Sequence, residues 1–189
     1  MRNLIYSINL SLDGCCDHTK FGGEDEEVYE YFTQLMQEAD AAIYGRITYQ
    51  LMVPYWPDVA KNNSGGSKAV NEFAHALDSI ENTLVFSKTL ENTDRKNTRI
   101  VRSNLQDEIL KLKQQPGKNI LIDGVTLTSQ ILGQGLIDEY RIIVHPVIVG
   151  TGRRLFEEVT MQERIPLKLV ESRPFRSGAI ALRYITQRP

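Results

Sequence analysis

Three short segments share one arrangement, in which an apolar run ends in a small polar turn and a helical pattern follows. The turns contain Gly45-Arg46, Ser87-Lys88 and Asp123-Gly124. A strand that leads into a helix leaves unpaired backbone N–H groups at the start of the helix, and such groups bind phosphate oxygens. Glycine lets a phosphate approach the backbone closely, while Arg, Lys, Ser or Thr side chains supply charge or hydroxyl donors. The three segments together favour a binding site for a phosphorylated ligand.

Each segment alone also has a simpler interpretation. Gly45 can be only a turn residue and Arg46 only a charge facing solvent. An Asp-Gly pair such as Asp123-Gly124 is a common turn. The occurrence of all three segments in this order is what favours a binding site.

Asp13 is a further candidate, because it follows the first apolar run and precedes Gly14. An Asp-Gly pair after a strand most often forms a turn. In a site, the carboxylate would instead hydrogen-bond an amino or imino group of a substrate, or pass a proton to it. The sequence leaves both interpretations open.

Two aromatic residues are candidates for contact with a substrate ring. Tyr49 lies in the first segment, and Trp56 lies within the run Met-Val-Pro-Tyr-Trp-Pro at 52–57. A Trp–Tyr pair beside prolines is typical of an apolar pocket in which rings stack. Trp56 could equally be a packing residue, and the sequence does not decide between these alternatives.

The remaining reactive side chains predict no further chemistry. A histidine in the position of His145 is more often a buried residue whose ring is hydrogen-bonded than a catalyst. Nothing in the sequence supplies a second metal ligand beside it. The glycines Gly150 and Gly152 lack the third glycine of a dinucleotide fingerprint and predict a turn instead. The adjacent residues Cys15 and Cys16 are expected to be reduced thiols.

Strands alternate with helices as far as residue 145, and strands then follow strands. The residues 140–149 predict a central strand buried on both faces, and the alternation at 4–12 predicts a half-buried strand. This order indicates an α/β sandwich with a mostly parallel sheet and an antiparallel C-terminal pair. The predicted strands cover 4–12, 41–44, 83–87, 98–101, 119–124, 140–149, 167–170 and 179–185, and the predicted helices cover 28–36, 69–77, 105–113 and 125–132.

The composition indicates a soluble protein of one domain, spanning residues 1–189. The formal net charge of −2 gives no reason to expect nucleic acid or an anionic membrane as a partner. No run approaches the length of about 18 apolar residues that a membrane span needs. Two cysteines and no signal-peptide pattern lead us to expect a cytoplasmic protein.

The chain resembles the dihydrofolate reductase-like superfamily, and within it the C-terminal reductase domain of the bifunctional riboflavin-pathway deaminase-reductase. The resemblance runs from residue 4 to residue 185, and its specific parts are Ser11-Leu12-Asp13-Gly14 and the segment 135–156. Weaker matches are Gly45-Arg46-Ile47-Thr48-Tyr49, Val85-Phe86-Ser87-Lys88 and Ile122-Asp123-Gly124. The resemblance implies a three-layer α/β/α fold and an NADPH-dependent reductase acting on a small heterocyclic substrate.

The resemblance also implies roles for the candidate residues. Gly45, Arg46 and Thr48 would line the phosphate region of NADPH, and Ser87 and Lys88 would meet the adenosine 2′-phosphate. Gly124, Val125 and Thr126 would hold the pyrophosphate side near the nicotinamide, with Asp13 closer to the substrate. Related domains often form homodimers through the antiparallel tail, so a homodimer is expected here.

The chain departs from the family's pattern at several points, two of which lie in the candidate segments. The third turn is Asp123-Gly124 where the family usually has two glycines, and the apolar run 52–57 stands where a basic stretch usually binds the ribose phosphate. The closest family activity is reduction of 5-amino-6-(5-phosphoribosylamino)uracil. The alternatives are an NADP(H)-binding module without catalysis, a dihydrofolate or pterin reductase, or an interaction protein that reuses the fold.

Overall fold

The computed structural model describes residues 1–20, 25–157 and 159–187. The strands are β1 (Leu4–Ser11), β2 (Ala39–Gly45), β3 (Asn82–Phe86), β4 (Thr98–Val101), β5 (Asn119–Asp123), β6 (Glu139–His145), β7 (Leu167–Pro174) and β8 (Ile180–Thr186). The helices are α1 (Glu26–Gln37), α2 (Arg46–Met52), α3 (Trp56–Asn62), α4 (Lys68–Asp78), α5 (Leu105–Gln114) and α6 (Val125–Ser129).

All eight strands form one mixed sheet in the order β4-β3-β2-β5-β1-β6-β8-β7. The six strands from β4 to β6 in this order run parallel to one another. β8 pairs antiparallel with β6, and β7 pairs antiparallel with β8. The sequence-based prediction of a mostly parallel α/β sheet with an antiparallel C-terminal pair is confirmed.

Helices cover both faces of the sheet. Successive residues of a strand point to opposite faces, and the inner parallel strands carry apolar residues on both, so both faces have to be covered. On one face Ile5 and Leu121 pack against Leu35 of α1 and Phe73 of α4. On the other face a larger cluster contains residues of β1, β2 and β5 together with α5 and α6: Leu4, Tyr6, Ile43, Ile120, Ile109, Leu112 and Leu127. The molecule therefore has three layers, with an α1 side and an α5–α6 side.

The prediction of a half-buried first strand is wrong. The four residues Leu4, Ile5, Tyr6 and Ser7 are all buried, because β1 lies inside the sheet between β5 and β6 with helices on both faces. Ser7 looks like a solvent-facing residue in the sequence pattern, but it is only 7% exposed. Polar residues on the α1 side of β1 therefore need partners within the protein.

The predicted central strand at 140–149 is too long. β6 ends at His145, and Ile148 is 72% exposed. Pro146 has no N–H with which to continue the sheet. The backbone beyond it turns towards the loop that follows β1, where the N–H of Leu12 donates to the carbonyl of Val147 at 2.8 Å.

The predicted helix at 125–132 is also shorter than expected, since α6 ends at Ser129 and a 3₁₀ turn follows at Leu132–Gln134. The helix α3 was not predicted. It begins with Pro57 in its first turn, where proline is tolerated because the N–H groups there are unpaired. In the described part of the chain no helix is long and apolar enough to cross a membrane.

Two carboxylates at the start of β6 lie at the end of the sheet opposite to the three predicted turns. Asp138 accepts a hydrogen bond from the N–H of Leu4 at 2.7 Å and forms an ion pair with the buried Lys113. Glu139 is buried and pairs with Arg141 and Arg183. These carboxylates join β6 to its neighbours, and they are not close in the sheet to the candidate residues.

Candidate functional site

The three predicted turns lie side by side at one edge of the sheet. β3, β2 and β5 are neighbours and run parallel, so their carboxyl ends meet at the same edge. Gly45 ends β2, Ser87 follows β3 and Asp123 ends β5. In open α/β sheets this edge is where ligands bind. The structure thus brings together the cofactor-binding candidates of all three segments.

The first and third turns approach each other closely at two glycines. Gly124 has a φ of +103°, and a Cβ atom at this position would lie 2.9 Å from Thr48 Oγ1. A Cβ atom at Gly45 would lie 3.9 Å from Leu127 Cβ, which is ordinary contact. Gly124 is therefore required both by its backbone conformation and by its neighbour, and Thr48 is placed against the start of α6.

The exposed side chains of these two turns have different neighbours. Arg46 donates from Nη1 to Gln50 Oε1 at 2.9 Å, along the surface of α2. Val125 is partly buried at the start of α6, and Thr126 is exposed. Thr126 Oγ1 accepts a hydrogen bond from Arg153 Nη1 at 2.8 Å. Arg153 was not predicted as a site residue, although its place directly after a two-glycine turn was a usable signal.

The second turn is shaped by the hydroxyl of Ser87. Ser87 Oγ accepts hydrogen bonds from the N–H groups of Thr89 at 3.1 Å and Leu90 at 2.8 Å. Lys88 is exposed, and Arg102 after β4 reaches the same turn, donating to the carbonyl of Leu90 at 2.7 Å. Two cationic side chains therefore lie at this turn. The sequence missed Arg102, because its proximity to Ser87 depends on the pairing of β3 with β4.

Asp13 joins the loops that follow β1 and β6. Its carboxylate accepts hydrogen bonds from Ser11 Oγ at 2.6 Å and from the N–H groups of Val149 at 3.1 Å and Gly150 at 2.9 Å. The hydroxyl of Ser11 and these two N–H groups stabilise the charged form and lower the pKa of Asp13. Since Asp13 is ionised at neutral pH, it is poorly suited to donate a proton. Its contacts favour the turn interpretation.

The same two loops are connected by backbone hydrogen bonds. The N–H of Cys16 donates to the carbonyl of Arg153 at 2.9 Å, and the N–H of Leu155 donates to the carbonyl of Gly14 at 3.1 Å. The two most specific parts of the family resemblance are therefore in direct contact. Together they form a rim beside the carboxyl ends of β1 and β6.

The two aromatic candidates pack between helices. Tyr49 is 7% exposed, and its hydroxyl group hydrogen-bonds Thr93 Oγ1. The ring of Trp56 makes edge contacts with Phe73 and Tyr29, at centroid distances of 4.7 Å and 6.1 Å. These contacts favour the packing role for Trp56 and place Tyr49 within the core on the α1 side.

Asp123 lies away from the turn that it precedes. Ser7 Oγ donates to Asp123 Oδ1 at 2.7 Å, so the carboxylate lies on the α1 side of the sheet, beside β1. Burial raises the pKa of Asp123 to about 6, although the Ser7 hydrogen bond acts in the opposite direction. The carboxylate that stands where the family usually has a glycine is thus bonded to the neighbouring strand.

His145 lies on the same side of the sheet as Asp123. Its Nε2 atom is 2.9 Å from Asn9 Oδ1 on β1, and burial lowers the pKa of His145. The expectation of a buried histidine with a hydrogen-bond partner is met in part, because His145 is bonded to Asn9 but is only half-buried. Among residues 1–20, 25–157 and 159–187, no group of three or more His, Cys, Asp or Glu side chains has the arrangement of a metal site.

Comparison with known proteins gives a consistent result. The family model for the RibD C-terminal domain matches residues 2–181. YyaP, an uncharacterized protein of Bacillus subtilis (strain 168), is 32% identical over 188 residues, covering 97% of this chain and 94% of YyaP. A pyrimidine reductase-like protein from Corynebacterium diphtheriae has a similar structure, with a TM-score of 0.68 and 16% identity, covering 100% of this chain and 93% of that one.

A longer protein provides a further structural match. RibD of Acinetobacter baumannii has a TM-score of 0.71 and 17% identity, and the match covers 100% of this chain but 59% of RibD. At this level of identity the match shows the shared fold. The family match over most of the chain, together with the identity to YyaP, shows that the chain belongs to the RibD C-terminal domain family, a family of reductases.

Proposed function

We propose that this protein is an NADPH-dependent reductase that acts on a small heterocyclic substrate. The observation that carries the proposal is the meeting of the three turns at the carboxyl edge of β3, β2 and β5. Gly124 supports it further, because the absence of a Cβ atom there lets the third turn approach the hydroxyl group of Thr48 in the first. Close approach of the two turns would let a hydroxyl group and backbone N–H groups serve one phosphate.

The residues present fit the adenosine end of the cofactor and its phosphates. Lys88 and Arg102 supply two positive charges at the Ser87 turn, which suits the adenosine 2′-phosphate that distinguishes NADPH from NADH. Gly45, Arg46 and Thr48 would bind the phosphates from the α2 side. Gly124, Val125 and Thr126 would bind them from the α6 side, with Arg153 close to Thr126.

The chemistry that NADPH supplies when bound is transfer of a hydride to an acceptor carbon. The chain's own contribution would be orientation, since a reductase of this kind holds the two reacting carbons close together. The rim formed by the loops after β1 and β6 would border the substrate, and Asp13 would keep that rim in place. Asp13 remains a proposed site residue in this positioning role. Tyr49 and Trp56 would hold α2 and α3 in place through their packing on the α1 side.

The substrate is proposed to be a heterocycle related to that of the riboflavin-pathway reductases. The relatives include a Thermotoga maritima protein described as a deaminase and 5-amino-6-(5-phosphoribosylamino)uracil reductase. In this chain the place of the phosphate-binding stretch, residues 52–57, contains no basic residue and carries the exposed aromatic side chain of Tyr55. A substrate that lacks the ribose phosphate is therefore favoured over one that contains it.

The test is a comparison of NADPH and NADH binding by calorimetry, for the native chain and for a variant with Ser87→Ala and Lys88→Ala. We expect NADPH to bind more tightly than NADH, and we expect the double substitution to remove most of this preference. Lys61→Ala is the control, because this exposed lysine lies on α3. Failure of the native chain to bind either cofactor would overturn the proposal. Binding without turnover of any acceptor would instead indicate a binding module.

We also propose that the protein forms a homodimer through its C-terminal strands. β7 is an edge strand of the sheet, and Leu169 and Val170 on it are 49% and 46% exposed. An exposed apolar edge strand is a surface that another chain can pair with. Light scattering is expected to give twice the mass of one chain, and Val170→Lys is expected to shift it towards the monomer. A monomer mass for the native chain would contradict this.

A further inference from the structure

Two arginines follow the two-glycine turn after β6, and their side chains reach different partners. Arg154 forms a β-bridge with Cys15, and its Nε atom donates to the carbonyl of Asp13 at 3.1 Å. Arg153 instead donates from Nη1 to Thr126 Oγ1 at 2.8 Å, at the start of α6. Arg154 thus joins the two loops of the rim, whereas the Arg153 side chain reaches from the rim to the helix that follows the third turn.

The backbone of Arg153 is held without any help from its side chain. Its carbonyl accepts hydrogen bonds from the N–H of Cys16 at 2.9 Å and from Cys16 Sγ at 3.1 Å. Gly152 has a φ of +104°, and a Cβ atom there would lie 3.0 Å from Cys15 Sγ, so a glycine is needed for the two loops to approach this closely. Arg153 and Thr126 are both exposed, and a hydrogen bond between such groups competes with water and contributes little to stability. The contact between them is therefore not needed to build the rim.

The same contact places a cation beside the proposed phosphate region. β6 is separated from β5 by β1, which puts their strand axes about 10 Å apart. Arg153 comes from the β6 side, and Thr126 lies two residues after Gly124 on the β5 side. A Cβ atom at Gly124 would lie 2.9 Å from Thr48 Oγ1. Thr48, Gly124, Thr126 and Arg153 therefore form one continuous set of contacts, drawn from three loops.

The charge of this region indicates a role for Arg153. The first turn has one arginine, Arg46, which donates to Gln50 along α2, and residues 123–126 contain no basic side chain. A diphosphate carries negative charge on both phosphates, and the planar guanidinium group donates parallel N–H groups to phosphate oxygens. We propose that Arg153 binds the diphosphate of NADPH from the rim, so that the bound cofactor also holds the rim in place. This inference rests on the proposed function for the identity of the cofactor, and it adds a cofactor contact from the loop after β6.

The experiment compares two ligands by calorimetry on the full chain. NADPH contains the diphosphate, whereas adenosine 2′-monophosphate has the adenosine and its 2′-phosphate only. Arg153→Ala is expected to weaken NADPH binding by about tenfold or more and to leave binding of adenosine 2′-monophosphate within about twofold. Arg153→Lys keeps the charge but not the planar group, so an intermediate loss of NADPH affinity is expected. Lys88→Ala is expected to weaken both ligands, because Lys88 lies at the adenosine end.

Arg164→Ala is the matched control, since it removes the same charge from an exposed arginine at the other end of the sheet. Arg164 lies shortly before β7, whose first residue, Leu167, pairs with Thr186. The N–H of Thr186 donates to the carbonyl of Asp138, which precedes β6. Arg164→Ala should leave the affinity for both ligands within about twofold of the native values.

Amide hydrogen exchange tests the effect on the rim. The N–H of Cys16 donates to the carbonyl of Arg153, and the N–H of Leu155 donates to the carbonyl of Gly14. If the cofactor holds the rim through Arg153, exchange of both N–H groups should slow when the native chain is saturated with NADPH. Arg153→Ala at saturating NADPH should lose this slowing. A purely structural role of Arg153 would change the exchange without the cofactor as well.

Three results would overturn the inference. They are an unchanged NADPH affinity in Arg153→Ala, an equal loss of affinity for both ligands, and rim exchange that NADPH does not slow in the native chain. Arg153→Lys provides the affinity test if Arg153→Ala does not fold. Absence of NADPH binding to the native chain would remove the proposed reductase function together with this inference. Loss of both ligands in Lys88→Ala, with native NADPH affinity in Arg153→Ala, would remove this inference alone.

Discussion

Replacing Asp123 with asparagine is expected to stabilise the fold at neutral pH. Burial raises the pKa of this carboxyl from 3.8 to about 6, so the native state disfavours the ionised form. One pKa unit corresponds to about 1.4 kcal/mol, which gives a cost of about 3 kcal/mol for keeping Asp123 ionised. Asparagine has the same shape, and its Oδ1 atom can still accept the hydrogen bond from Ser7. The variant is therefore expected to gain between about 1 and 3 kcal/mol at pH 7.5.

The sign of the pH dependence follows from proton uptake. Between pH 4 and 6 the folded chain holds a proton on Asp123 that the unfolded chain has released, so the native protein loses stability as the pH rises through this window. Above about pH 6 the loss is complete. Below about pH 4 both states are protonated, and the advantage of the variant should vanish.

Urea unfolding of both proteins from pH 4.5 to pH 8 measures this difference. The slope of free energy against urea should be equal for the two proteins, because they expose similar surface on unfolding. Asp107→Asn controls for a change of net charge and should stay within about 0.5 kcal/mol of the native chain. A variant that is less stable at pH 7.5, or a difference that does not change with pH, would refute the reasoning.

Three further outcomes are expected. Tyr6→Phe removes a buried hydroxyl that has no hydrogen-bond partner among the described residues, so thermal unfolding should show equal stability or a gain of about 1 kcal/mol. Gly124→Ala should cost about 1–3 kcal/mol in urea unfolding, because alanine disfavours a φ of +103° and its Cβ atom would lie 2.9 Å from Thr48 Oγ1. Trp56→Ala should lower stability by about 2–4 kcal/mol through loss of its contacts with Phe73, while NADPH affinity stays within about threefold of the native value. A loss of NADPH affinity in Trp56→Ala without a loss of stability would contradict the packing role.

The order of strands and helices could be predicted from the sequence, because the apolar patterns of most elements are clear. The bounds of β4 match the predicted strand at 98–101, and α5 extends the predicted helix by one residue. The three turns of the candidate site could also be identified from the sequence, and the parallel pairing of β3, β2 and β5 brings them together. The strand at 140–149 was predicted too long because apolar residues continue beyond Pro146, in a loop that pairs with another loop.

The side-chain directions at the site could not be predicted, because they depend on pairings between distant parts of the chain. Ser7 and Asp123 are 116 residues apart, and only the parallel pairing of β1 with β5 places them in contact. Arg102 reaches the Ser87 turn through the pairing of β3 with β4. Local sequence patterns do not show which distant segments pair with each other.

Asp123 and Gly124 are adjacent in the sequence, but they contact different parts of the structure. Successive residues of a strand face opposite sides of the sheet, so Asp123 lies towards Ser7 on the α1 side while the chain at Gly124 turns against Thr48 and enters α6. The aspartate side chain therefore does not lie at the contact between Gly124 and Thr48. A shift of β5 by one residue would exchange these directions and place the carboxylate on the other face. The tight contact at Gly124 and the Ser7 hydrogen bond both oppose such a shift. The departure from two glycines is thus compatible with a phosphate at the turn.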